Sequence, residues 1–265
     1  MRPIGFFDSG VGGLGIFKAV AEKLHNYDLV YVADNANLPF GEKTVDQLNH
    51  ISETIVRFLI KKHNVQAVVV ACNTATVSSI DYLRKHFSIP IVGTVPVVKP
   101  ACEQSKNKRV AILATPATAS SSYLKDLIKK HANDADVLIV SCPGLADMVD
   151  TGELDTPEVL EALNRFLAPA IAHHADAIGL GCTQYPFLCH HIAKLFSPQV
   201  IILDSNQPVA NQVERIMSLQ PALAFDKNHK PTYTVYATKD VQTFGKVAQK
   251  LIGPMVDNYI YLNLE

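Results

Sequence analysis

The stretch Ala67-Val68-Val69-Val70-Ala71-Cys72-Asn73-Thr74-Ala75 decides how the chain is read. Four apolar residues make a short buried strand, small residues turn the chain, and a cysteine stands where a helix begins. The pattern returns 110 residues later as Ala177-Ile178-Gly179-Leu180-Gly181-Cys182-Thr183-Gln184-Tyr185-Pro186. A thiol at the end of a buried strand and the mouth of a helix sits among free backbone N–H groups at the positive helix end. Such a setting favours a thiolate. One buried cysteine of this kind is ordinarily an inert core residue. Two, at matching places, point to a pair of thiols supplied by two similar halves.

Working outward, Ile4–Phe7, Leu29–Val32, Val110–Leu113, Val137–Val140 and Val200–Leu203 are further short apolar runs that read as buried parallel strands. Val45–His63, Ser120–His131 and Pro157–His174 carry helical spacing between them. Thr156-Pro157-Glu158 has the cap, proline and acid of a helix start. Alternating strands and helices predict an α/β fold with mainly parallel sheets, whose ligands bind beyond the carboxyl ends of the strands. The run ending in Asp8-Ser9-Gly10 matches the one ending in Ala114-Thr115-Pro116 at nearly the cysteine offset. The repeat predicts two pseudo-symmetric α/β domains, with the active site in the cleft between them. Residues 1–97 and 207–265 are expected to form the first, carrying Asp8 and Cys72, and residues 98–206 the second, carrying Cys182. Lys227–Pro231 reads as an exposed loop, followed by a strand over Tyr233–Thr238.

Composition narrows the classes. The 265 residues bury a full core, and the formal net charge of −1 carries no block of like charges. Neither a nucleic acid nor a membrane surface therefore has an electrostatic claim as partner. No apolar run approaches the length of a membrane span, and Met1-Arg2-Pro3-Ile4-Gly5 leads directly into a strand, so a cytoplasmic location is expected. Five cysteines without a CxxC pair argue against a disulfide frame or a structural zinc site, and no metal is expected.

Gly10-Val11-Gly12-Gly13-Leu14-Gly15 matches the dinucleotide pattern GxGxxG, with Asp34 where a ribose-binding acid would fall. Against that reading, Asp8 stands where a pyrophosphate would have to pack, and its charge would repel the anion. A turn that lets strand and helix pack closely suits the glycines better. Asp8 is then free to meet a cation, such as a substrate ammonium. Cys102, Cys142 and Cys189 are assigned to the core. Cys189-His190-His191 lacks a fourth metal partner, and His173-His174 suits a helix C-terminus.

If Cys72 and Cys182 act on one carbon, a thiolate removes a proton from one face and a thiol returns one to the other. Two groups of like type are needed, because the reverse reaction exchanges their roles. Nothing in the sequence indicates a pyridoxal lysine, so polar groups must acidify the carbon. Ser9, Asn73, Thr74, Thr118 and Thr183 stand in or beside the strand-end turns and suit carboxylate binding.

At these residues the chain resembles the glutamate racemases of the cofactor-independent aspartate/glutamate racemase superfamily, nearly end to end. The carrying segments are Phe7–Gly13, Tyr31–Asp34 with Leu38-Pro39-Phe40-Gly41, Ala71–Ala75, and Gly181-Cys182-Thr183 with Tyr185-Pro186. Weaker support lies in Ala114-Thr115 with Thr118, Ser122-Tyr123, Asp204-Ser205 and Thr238-Lys239-Asp240. The resemblance implies interconversion of L- and D-glutamate without cofactor, supplying D-glutamate for peptidoglycan, in a homodimer. It implies Cys72 and Cys182 as the acid/base pair, with Asp8 assisting Cys72. It also implies Asp8-Ser9, Pro39-Phe40-Gly41, Asn73-Thr74, Thr118 and Thr183 as substrate contacts. Members controlled by a nucleotide-sugar wall precursor carry an N-terminal extension, and that control is not expected here.

Two positions depart from the family pattern. Gln184 stands where glutamate racemases usually carry His, and Asp150 where they usually carry Glu. Both residues assist the second cysteine in the family. A glutamine orients or donates a hydrogen bond but does not titrate, so slower or direction-biased turnover is expected. Racemisation of another acidic amino acid such as aspartate is one alternative, although Tyr185-Pro186 favours glutamate. A racemase-like protein left with weakened activity, or with ligand recognition alone, is the other.

Overall fold

A computed structural model of the chain describes residues 2–219 and 229–264. The chain divides into two compact units, Met1–Thr94 with Asn206–Glu265 and Val95–Ser205. The first unit opens with β1 (Ile4–Asp8), α1 (Leu14–Lys23), β2 (Leu29–Ala33), α2 (Val45–His63), β3 (Ala67–Val70), α3 (Asn73–His86) and β4 (Ile91–Gly93). The second contains α4 (Val98–Gln104), β5 (Arg109–Ala114), α5 (Pro116–Ser120), α6 (Ser122–His131) and β6 (Asp136–Ser141). It continues through α7 (Leu145–Asp150), α8 (Pro157–Ala172), β7 (Ala177–Gly181), α9 (Cys189–Lys194) and β8 (Ile201–Leu203). The chain then returns to the first unit as α10 (Asn206–Ser218), β9 (Tyr233–Ala237), α11 (Val241–Ile252) and β10 (Asn258–Tyr261).

Each unit is built on one sheet. The first has strand order β10-β9-β2-β1-β3-β4 and the second β6-β5-β7-β8, and every ladder is parallel. Parallel neighbours need a crossover rather than a hairpin, which is why helices follow the strands. The second sheet repeats the order β2-β1-β3-β4 of the first, so the internal repeat seen in the sequence corresponds to a shared topology.

Local chemistry sets the element ends. Before α2, Thr44 and Gln47 form a reciprocal capping box, and after it Asn64 takes a left-handed φ of 50°. Leu48, Ile55, Val56 and Leu59 line its buried face. Each fully buried side chain of this size contributes roughly 1.5–3 kcal/mol. They pack with Phe7, Val68 and Val70 in the core of the first unit.

The structure corrects several boundaries. The helix expected over Ser120–His131 is interrupted at Ser121, which adopts extended backbone and accepts from Leu124 N at 3.2 Å, so α5 ends and α6 is capped anew. The helix expected to reach His174 ends at Ala172, because His174 turns to a left-handed φ of 54°. The strand expected from Val200 begins at Ile201. Of the loop expected over Lys227–Pro231, residues 227 and 228 lie outside the described residues, and 229–231 have no regular structure.

Candidate active site

In the first unit, β1 lies between β2 and β3, with Phe7 opposite Val70 and Asp8 opposite Ala33. This register brings the turns after β1 and β3 side by side at the carboxyl end of the sheet. Asp8 closes β1 with no exposed surface. Its Oδ2 accepts from Gly13 N at 2.8 Å, and its carboxylate also accepts from the Cys72 thiol. Burial pushes the Asp8 carboxyl up. The Gly13 N–H, the Cys72 thiol and the N–H groups of Ser9 and Gly10 oppose that rise. Ser9 is buried beside it, its Oγ 3.5 Å from Asp8 Oδ1.

Cys72 caps α3: its backbone is extended (φ −128°, ψ 124°) and its Sγ accepts from Ala75 N at 3.5 Å. The sulfur therefore sits at the positive end of a 14-residue helix, 5 % exposed. Asn73 and Thr74 follow in the first turn, both buried. Asn73 Nδ2 reaches Thr94 O at 3.4 Å, while no partner is found for its buried Oδ1 among the described residues. That oxygen can accept from a ligand donor such as an ammonium.

Pro39-Phe40-Gly41 follows a cis Leu38–Pro39 bond and enters a 3-10 turn, Phe40–Glu42. The Phe40 ring packs into the core cluster that includes Cys72, and Gly41 is exposed. Phe40 thus anchors the loop through its ring, while Pro39 O and Phe40 O accept from Glu42 N at 3.4 Å and Lys43 N at 3.2 Å. The loop's origin is tied down by Asp34. Its carboxylate accepts from Asn37 Nδ2 at 2.9 and 3.1 Å and from Thr238 Oγ1 at 3.0 Å.

These bonds bear on the glycine motif. A Cβ on Gly13 would lie 2.7 Å from Ala71 Cβ and 3.0 Å from Ala71 O, and one on Gly15 would lie 2.9 Å from Asn206 Nδ2. The glycines permit close packing. Gly13 N–H is already engaged by Asp8 and the Asp34 carboxylate by Asn37 and Thr238, so neither is set aside for a dinucleotide.

In the second unit, Ala114 of β5 pairs with Gly181 of β7, placing the Thr115 turn and the Cys182 turn together. A Cβ on Gly181 would meet Leu113 O at 2.8 Å, so only glycine fits there. Cys182 is buried, and its thiol donates to Gln184 Oε1 at 3.0 Å. Thr183 Oγ1 donates to the same oxygen at 3.3 Å, and Gln184 Nε2 donates to Asp150 Oδ2 at 3.4 Å. Thr118, fully buried at the start of α5, pairs its hydroxyl with Thr115 Oγ1 at 3.2 Å and donates N–H to the same oxygen at 3.4 Å.

The predicted residues thus form two groups. Asp8, Ser9, Cys72, Asn73 and Thr74 gather at the carboxyl end of the first sheet, with the loop Pro39–Gly41 in the same unit. Thr118, Asp150, Cys182, Thr183 and Gln184 belong to the second unit. Sequence reasoning missed the Gly13 N–H, which no side-chain motif encodes. It also missed Tyr185 as a buried neighbour. Tyr185 donates to Cys142 O at 3.3 Å, and burial, with Cys182 and Cys142 nearby, holds its hydroxyl well above its usual range. Burial pushes the Cys142 thiol up to about 12 and the Cys189 thiol to about 11, and raises that of Cys102. Three thiols are thereby kept neutral at physiological pH. His191 pairs with Asp155 at 2.9 Å. Among the described residues, no group of three or more His, Cys, Asp or Glu is placed to hold a metal, and no helix is long and apolar enough to cross a membrane.

Comparison with known proteins adds to this geometry. Residues 14–213 match the family model described as Asp/Glu/Hydantoin racemase. A glutamate racemase of Herpetosiphon aurantiacus is 42 % identical over 217 residues, covering 82 % of this chain and 85 % of its own. Among solved structures, Escherichia coli glutamate racemase in complex with L-glutamate and the activator UDP-MurNAc-Ala superposes with a TM-score of 0.86 at 27 % identity. That match covers 99 % of this chain and 98 % of the other. Francisella tularensis glutamate racemase in complex with D-glutamate gives 0.85 at 27 % identity, over 100 % and 98 %.

Proposed function

We propose, for a chain that belongs to the Asp/Glu/Hydantoin racemase family, that Cys72 and Cys182 interconvert L- and D-glutamate by proton transfer at the α-carbon. One thiolate takes the α-proton as an S–H bond forms, and the C–H electron pair moves toward the substrate carboxylate. The other thiol delivers its proton to the opposite face and becomes the thiolate. Charge balances, and the product is the mirror image.

The observation that carries this reading is that each sulfur has its own built partner. Cys72 holds Asp8, a buried carboxylate raised by burial and able to take a thiol proton. Cys182 holds Gln184. The Asn73 and Thr74 amides at the head of α3, with the Thr118 and Thr183 hydroxyls, suit the substrate carboxylates, and the buried Asn73 Oδ1 suits its ammonium. The chemistry needs no cofactor, since positioned donors stabilise the carbanion-like state. The complexes of relatives with L-glutamate and with D-glutamate support glutamate as substrate. We further assign the product D-glutamate to peptidoglycan synthesis, in a cytoplasmic homodimer.

Chiral chromatography of purified protein incubated separately with L-glutamate, D-glutamate and L-aspartate tests the reading. Inversion of both glutamate enantiomers and little of aspartate is expected. Faster inversion of aspartate would reassign the substrate. Thermal stabilisation by D-glutamate without inversion would leave only a binding protein.

A further inference from the structure

The hydrogen bonds around Cys182 have a direction. Asp150, when ionised, only accepts, so Gln184 must present its NH2 to Asp150, and its Oε1 is left facing Cys182. Thr183 Oγ1 donates to the same Oε1 in this orientation. An amide oxygen so fixed accepts from a thiol but repels a thiolate. The partner of Cys72 differs in kind: Asp8, raised by burial, can take the thiol proton and then donate to the sulfur as a carboxylic acid, and Ala75 N–H points a second donor at it.

We infer that Gln184, oriented by Asp150, is a positioning residue that holds Cys182 as the thiol in the resting enzyme, so the two substrate enantiomers meet an unequal protonation state. This rests on the two-thiol reading above. After a turnover in which Cys182 gives its proton away, the sulfur is a thiolate facing Oε1. The resting state returns when that thiolate takes a proton from solvent and Cys72 loses one.

The kinetic signature is specific. Enantiomers have equal free energy, so kcat/KM must be the same from either side. Inequality shows only as kcat and KM moving together. The enantiomer whose α-proton goes to Cys182 binds only the minor, thiolate form. Its KM is raised by that scarcity, and its kcat is raised by the same factor. Solvent deuterium exchange in the Cys72→Ser variant identifies this enantiomer, because only Cys182 remains to exchange it.

The test combines that assay with the ultraviolet absorbance of thiolate in the Cys72→Ser background, just above neutral pH. Cys102, Cys142 and Cys189 are raised by burial and remain silent there. No thiolate is expected with Gln184 and Asp150 in place. Asp150→Lys should turn the amide, present NH2 to Cys182, and bring up one thiolate. With Cys72 restored, Asp150→Lys should lower both KM and kcat for the Cys182-side enantiomer by roughly tenfold. The double variant Gln184→Met/Asp150→Lys should lose that gain, which separates the amide from the mere charge of lysine. Equal KM and kcat for both enantiomers in the unmodified enzyme would overturn the inference, as would thiolate at Cys182 with Asp150 present. Should neither enantiomer be inverted at all, the racemase reading fails, while the absorbance still decides the state of Cys182.

Discussion

Gly13 N donates to Asp8 Oδ2 at 2.8 Å, folding the glycine loop back onto the residue that closes β1. The loop therefore serves the carboxylate that bonds Cys72, and a pattern resembling a phosphate cradle instead holds the partner of a buried thiol. Gly13→Ala tests this. The added Cβ would press on Ala71 Cβ and on the Ala71 carbonyl, which is backbone and has little room to yield. A loss of about 1–3 kcal/mol in denaturant unfolding is expected, with activity falling further than stability explains. An unchanged midpoint would show that the loop relaxes freely.

Asp8 also writes itself into the pH dependence of stability. Its folded pKa is raised, chiefly by burial. The folded state then holds the proton more tightly than the unfolded state. Asp8 costs stability as pH rises from its unfolded value, near the ordinary carboxylate range, up through its folded value. Asp8→Asn removes that loss. Its Tm advantage over the unmodified protein should be smallest in the ordinary carboxylate range and grow as pH rises above it, while inversion falls by about 10²–10⁴-fold. A Tm difference that shrinks with rising pH would contradict the sign.

Thr76 ties the cysteine helix to the sheet. Its buried Oγ1 donates to Val70 O at 3.2 Å and accepts from Thr94 N at 3.0 Å. In Thr76→Val, the Thr94 N–H retains Val70 O at 3.2 Å, so the loss should stay near 1 kcal/mol rather than the full cost of an orphaned amide. Chemical denaturation reads it. A loss several times larger would mean that the second bond does not hold.

Much of this was legible in the residues because strand ends are marked twice, by the apolar run and by what stops it. Ala67–Val70 followed by Ala71-Cys72, and Ala177–Leu180 followed by Gly181-Cys182, located both thiols. The capped, periodic α2 was delimited as Val45–His63. The break at Ser121 was hidden, because one serine recapping a helix leaves the apolar spacing on either side intact. Three-residue β4 and the exposed edge strand β10 carry too little apolar signal to stand out. Within the site, side chains were legible and their orders were not. That Oε1 rather than Nε2 of Gln184 faces Cys182 follows only from Asp150 arriving at the end of α7. Gly13 contributes through its backbone, which no residue type announces.

The central claim is that two thiols divide one inversion between them. Solvent deuterium exchange at the α-carbon, followed by NMR from each glutamate enantiomer in Cys72→Ala and Cys182→Ala, addresses it most directly. Each variant should fail to invert either enantiomer yet still exchange one of them, and the enantiomer exchanged should differ between the two. Continued inversion by either variant, or exchange of the same enantiomer by both, would contradict it.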